Sequence, residues 1–264
     1  MKAIIACAVL LSTGAMAHDT HFSTDSCDVD LNAGFSIKNN VITMTKHDKA
    51  IYKIVDGRTL IINSETIALN AAQQEAVSQY AAEIKALIPE VKGIATDAIE
   101  LASEGVSIAF DELLGEDNKV GNDLSSELYS LKQELDERFD VNNFTIEEDG
   151  TVQGDFLSED FEQRIESIVE KTVENSMGTL LIAVGQELLL AGGDMDAFEH
   201  KMEKFGEQIE YEMESRANVI EQRGEKLCYS IEKIDLLEEK LKSIIPEMPK
   251  VNVVSVDNSQ HKKA

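Results

Sequence analysis

The last third of this 264-residue chain carries one continuous apolar stripe. Phe198, Met202, Phe205, Ile209, Met213, Ala217, Ile220, Gly224, Leu227, Ile231 and Ile234 recur by fours and threes. That spacing places side chains on one face of an α-helix. The pattern predicts a single helix from about Asp196 to Ile245, and at ~1.5 Å per residue it spans on the order of 75 Å. A rod of that length is too long for one compact domain to wrap. The spacing is close to a heptad seam, with one stutter between Ile209 and Ala217, so the seam can face this chain's own helices or a second copy, giving a homo-oligomer through the long helix. Pro246 and Pro249 stop the helix, and the polar segment 246–264 reads as a flexible tail.

Helical periodicity also fills residues 70–140, which read as three helices. Asn70 and Gln73 form a capping box, the Asn side chain taking the Gln73 amide while Gln73 reaches back. Val77, Tyr80, Ile84 and Leu87 mark the first stripe. Pro89 suits the first turn of a second helix, whose face includes Val91, Ile94, Ala98, Ala102, Ala109 and Leu113. Leu124, Leu128, Leu131, Leu135 and Phe139 mark the third. Residues 158–245 read as two long helices, the first capped by Ser158 and striped by Phe161, Ile165, Ile168, Thr172 and Val173. It ends at Gly192-Gly193.

The period is two, not three and a half, in residues 18–69. Short runs at 36–37, 41–45, 50–55 and 59–62 are rich in Val, Ile, Thr and Tyr, and Asn39-Asn40 and Asp56-Gly57 punctuate them as turn formers. This is an antiparallel β-meander, and a sheet so small needs a helix on one face. Residues 141–157 read as a second β-hairpin turning at Asp149-Gly150. The expected fold class is therefore α+β and mainly helical: an N-terminal meander packed on a helical bundle with one very long C-terminal helix.

Residues 1–17 have the form of a cleavable signal peptide, with a charged start at Lys2, an apolar run from Ala3 to Leu11 and a small-x-small site at Ala15 to Ala17. Only six residues precede Cys7, too few for a lipoprotein leader. Export to the periplasm is the expectation. Cys27 and Cys228 are then the only cysteines of the mature chain, and in an oxidising compartment they read as one structural disulfide. Their spacing is unlike the Cys-x-x-Cys of a redox catalyst. Asp and Glu number 50 against 24 Lys and Arg, a net charge of −26. Such a surface repels phosphate backbones and anionic head groups, so no nucleic acid is expected as a partner. Nothing after residue 17 approaches the ~18 apolar residues of a membrane span.

Few motifs carry chemistry. His18 and His21 open the expected mature chain, and an N-terminal amine with two imidazoles can chelate copper; solvated histidines at a chain end are the plainer reading, so no metal or cofactor is expected. Asp28, Asp30 and Asn32 resemble the start of a calcium loop, yet Ala33 stands where glycine belongs and Asn39 where the bidentate Glu belongs. Carboxylate pairs such as Glu147-Glu148 and Glu238-Glu239 read as solvated faces. Phosphate-cradling loops and nucleophile elbows are missing, so no catalytic residues are assigned. The segment Leu180–Leu190 is apolar on nearly every side. It is either the centre of a bundle or a surface for an apolar ligand or partner, with Met177, Leu180, Leu181, Val184 and Leu188 as its face.

The stretch Ala68 to Glu75, followed by Tyr80 and by Ala86 to Pro89, resembles the YggN family of uncharacterised exported proteins from gammaproteobacteria. Met177-Gly178, Gly192-Gly193, Phe205-Gly206 and Cys228 extend the resemblance over most of the mature chain. It implies a periplasmic location and carries no functional residues. The expected function is a non-enzymatic, envelope-associated binding protein acting through apolar helical faces on an envelope protein or apolar ligand. The alternatives are a scaffold or chaperone that shields hydrophobic segments, and a carboxylate-dependent hydrolase.

Overall fold

The computed structural model describes residues 21–23, 27–116, 118–148, 152–153, 159–190 and 194–258. The leader, His18, the Asp149-Gly150 turn and Gly192-Gly193 lie outside the described residues. The fold is α+β and mainly helical. In chain order the strands β1 (His21–Ser23), β2 (Cys27–Leu31), β3 (Gly34–Lys38), β4 (Val41–Lys46), β5 (Lys49–Val55), β6 (Thr59–Ile62) and β7 (Glu65–Thr66) precede two helices, α1 (Ala71–Leu114) and α2 (Lys119–Arg138). Then come β8 (Asn143–Ile146), β9 (Val152–Gln153), α3 (Glu159–Leu190), α4 (Met195–Ile244) and β10 (Val254–Asn258).

Four tight turns build the meander. Asn39-Asn40, His47-Asp48, Asp56-Gly57 and Asn63-Ser64 all hold positive φ, between 49° and 68°. Paired left-handed residues give the turn whose twist matches that of the flanking strands. Two of these turns stand where the sequence predicts them; His47-Asp48 and Asn63-Ser64 add two more. In the resulting antiparallel sheet Ile37 pairs with Ile42, Ile42 with Ile54 and Ile54 with Leu60. Phe35, Met44 and Tyr52 form the adjacent row, and both rows are buried. Ser36, Thr43 and Lys53 alternate onto the other face, as a period of two requires. Onto the buried face come Val77, Tyr80, Ile84 and Ile88 of α1 and Ile234 and Leu241 of α4, in one hydrophobic core.

Three expectations change. The 141–157 hairpin is not a separate unit: β8 pairs with β3, so the sheet has seven strands in the order β7-β6-β5-β4-β3-β8-β9. Phe144 is buried beside Phe35, the ring centroids 5.8 Å apart. Residues 70–140 hold two helices, not three, because α1 runs through Pro89 without ending. A proline inside a helix removes one backbone hydrogen bond and costs about 3 kcal/mol; the buried contacts of Ile84 and Ile88, in the turn just before it, offset it. Finally, the segment 246–264 is not wholly a flexible tail. Met248, Val253 and Val254 are buried, and β10 pairs antiparallel with β2, with Val254 opposite Leu31 and Asn258 opposite Cys27.

The strands β1, β2 and β10 thus form a second, three-stranded sheet. The disulfide between Cys27 and Cys228 ties this small sheet to α4, with Cα atoms 6.5 Å apart and both side chains buried. The expected staple is present, but it grips the small sheet through β2 rather than the meander itself.

Candidate functional site

The long helices meet as an antiparallel pair held by charge. Glu83, Glu90, Asp97 and Glu104 recur every seven residues along α1. Glu83 pairs with Lys233 at 2.6 Å, Glu90 with Lys226 at 3.7 Å, Asp97 with Arg223 and Glu104 with Arg216. Ser230 adds a hydrogen bond to Glu90 at 3.1 Å. Seven residues is two helical turns, so one face of α1 presents a carboxylate at each repeat while the bases descend along α4. Helical glycines let the backbones close in: a Cβ on Gly105 would sit 3.3 Å from Met213 Sδ. In this stretch the apolar seam of α4 is therefore taken up by this chain's own α1, not by a second copy.

An open groove of about 490 Å³ lies beside this pair, lined by Ser103, Ser107, Leu128, Tyr129, Lys132 and Arg216, among others. Its carboxylates are occupied: Glu100 pairs with Lys132 at 2.5 Å and Glu104 with Arg216.

Burial raises two carboxyls of α4, Asp235 and Glu238. Glu238 is 0% exposed, which corrects its reading as a solvated residue on the outer side of the helix. Both of its oxygens accept the Val253 amide, at 3.1 and 3.0 Å, and Lys242 approaches to 3.4 Å. Burial pushes the carboxyl above its ordinary value, against the pull of the Val253 amide and of Lys242. Asp235, one turn earlier, is also raised by burial and by Glu239, while it takes a hydrogen bond from the Val256 backbone. Both groups grip the returning chain at β10. In the adjoining core, the Tyr52 and Tyr80 hydroxyls bond each other at 2.9 Å, and burial together with Glu238 raises both phenols. The arrangement anchors backbone. Sequence reasoning missed it because the signal, a carboxylate four residues before a lysine on a helix, is also the commonest surface pattern.

The other singled-out residues fall as follows. Asp28 and Asp30 lie in the extended strand β2, not in a loop, and Asn32 Nδ2 donates to Ser255 Oγ at 2.9 Å. His21 opens β1, opposite Asp30. Glu148 is not simply solvated: it pairs with Lys46 at 2.7 Å and accepts the His47 amide at 2.7 Å, which lowers its carboxyl. No cluster of three or more metal-ligating side chains occurs among the described residues.

The apolar segment of α3 is a surface. Ile168 and Ser176 are buried, and Arg164 ties the first half of the helix to Glu134 of α2 at 3.1 Å. Further along, Met177, Leu181 and Val184 are exposed, Leu181 at 70%, while Leu180 and Leu188 are half-buried. Val169 and Val173 extend the exposed stripe towards the start of the helix. The five residues expected to form one face do share a side of α3, and its rim is bare. Among the described residues no helix is long and apolar enough to cross a membrane.

The class defined is a two-sheet α+β protein, stapled by one disulfide and zipped along an antiparallel helix pair. The chain belongs to the family of proteins of unknown function DUF2884, which matches residues 27–254. No curated protein and no solved structure matches it. Membership brings no activity with it.

Proposed function

We propose that this chain is a non-enzymatic binding protein of the cell envelope, of the YggN kind, carried to the periplasm by its leader. Met177, Leu180, Leu181, Val184 and Leu188 of α3 form the surface that receives an apolar segment of an envelope protein. The observation that carries the reading is the exposure of this stripe on a chain otherwise rich in charge. The pairing of the groove carboxylates and the backbone-holding role of Glu238 also favour binding over hydrolysis.

The test is titration of the full chain with a fluorescent apolar helical peptide, beside the variants Met177→Glu and Val184→Glu. Placing a charge in the contact should weaken binding at least tenfold, the equivalent of about 1.4 kcal/mol, with helix content unchanged. Equal binding by wild type and variants contradicts the proposal.

A further inference from the structure

Two glycines in α3 have no reason to be glycine within the monomer. A Cβ built on Gly178 or Gly185 meets no atom within 4 Å. In α1 the contrast is plain, since Gly93 and Gly105 lie against Arg223 and Met213 of α4. Glycine in a helix interior is less stable than alanine, and on α3, unlike at the open Gly206 of α4, two of them stand beside exposed leucine and isoleucine side chains. At about 3.6 residues per turn, Gly178, Leu181, Ile182, Gly185 and Leu189 share one face, turned away from buried Ser176. Leu181, Ile182 and Leu189 are 70%, 64% and 78% exposed. Residues 176–186 carry no charge, in a chain of net charge −26 that repels its own copies elsewhere.

The face is also self-complementary. Read backwards from a point between Leu181 and Ile182, the sequence sets Gly178 against Gly185, Thr179 against Val184 and Leu181 against Ile182. We propose that a second copy of the chain covers this face, with the two α3 helices crossing antiparallel about a two-fold axis at that point. An isologous contact of this kind needs only one patch, and the facing glycines let the backbones approach. The antiparallel sense sets Glu174 opposite Leu189, whereas a parallel pair would set Glu174 against Glu174. At roughly 80 Å² per aliphatic side chain, the contact is smaller than a stable dimer needs, so the association is weak and reversible. The face differs from the one proposed to receive an apolar segment, with Leu181 on their border, so each proposal can fail alone.

The experiment uses the full, disulfide-bonded chain. Sedimentation equilibrium should show a concentration-dependent dimer. Gly185→Ala should raise its dissociation constant at least tenfold while leaving monomer melting unchanged or higher. Under oxidation Ile182→Cys, beside the axis, should cross-link, and Leu189→Cys, far from it, should not. A monomer at every concentration overturns the proposal, as does cross-linking at both positions.

Discussion

Helices α3 and α4 are neighbours in sequence and both carry apolar residues at helical spacing, but their surroundings differ. Against α4 runs α1, whose carboxylates every seven residues meet Lys233, Lys226, Arg223 and Arg216 in order. Among the described residues the second half of α3 has no such ladder, and Met177, Leu181, Ile182 and Leu189 face outward. A stripe states that something covers a helix; the matched charges beside it state what. Half-exposed pairs contribute only ~0.2–1 kcal/mol each, so the ladder's main work is to fix partner and register while the buried side chains supply the stability.

The largest way to break the covered region is to cut its staple. The disulfide spans 201 residues of sequence, and the chain-entropy account puts its contribution near 5 kcal/mol as an upper figure. Cys228→Ala should give the largest fall in melting temperature of any change named here. In hydrogen exchange on the reduced protein, β2 and β10 should lose protection before α1 and α4 do. Loss of all four together would contradict the placement of the staple on the small sheet.

A smaller effect separates the grip of Glu238 from the rest of α4. Its folded-state acidity is weakened by burial, so the native state keeps a proton that the unfolded chain gives up. The contribution to stability is therefore greatest in acid, and it declines as pH rises from about 4.3 through the raised folded value. Glu148 acts with the opposite sign, its lowered carboxyl stabilising above the unfolded value and losing that effect as pH falls. Glu238→Gln should flatten the decline, measured as urea unfolding at several pH values between about 4 and 7, and should cost roughly 1–3 kcal/mol at the acid end. An unchanged pH profile would mean that Glu238 does not titrate in the folded protein.

Local signals were legible in the sequence wherever their cause is local. The Asn70 box is present in both directions, Asn70 accepting the Gln73 amide at 3.0 Å and Gln73 accepting the Asn70 amide at 2.9 Å. The last helix falls within a residue of its expected bounds, with Asp194 as its cap. What stayed hidden depends on partners far away in sequence. Val254 and Val256 alternate like a strand, but their partner β2 lies more than two hundred residues earlier. Pro89 is a sound start signal for a helix, and only the core beneath Ile84 and Ile88 lets the helix run on through it. For Leu180 to Leu190 the sequence left core and surface open, because composition does not reveal what stands opposite a helix.

The smallest expected effect is also the most direct test of the difference between covered and bare stripes. Equilibrium unfolding of Leu241→Ala and Leu181→Ala, in protein dilute enough to be monomeric, compares one side chain from each. Leu241 is fully buried and its truncation should cost about 2–5 kcal/mol. Leu181, at 70% exposed, should change stability by no more than ~0.5 kcal/mol. Similar losses at the two sites would show that α3 is packed inside its own chain, and would contradict its reading as an open surface.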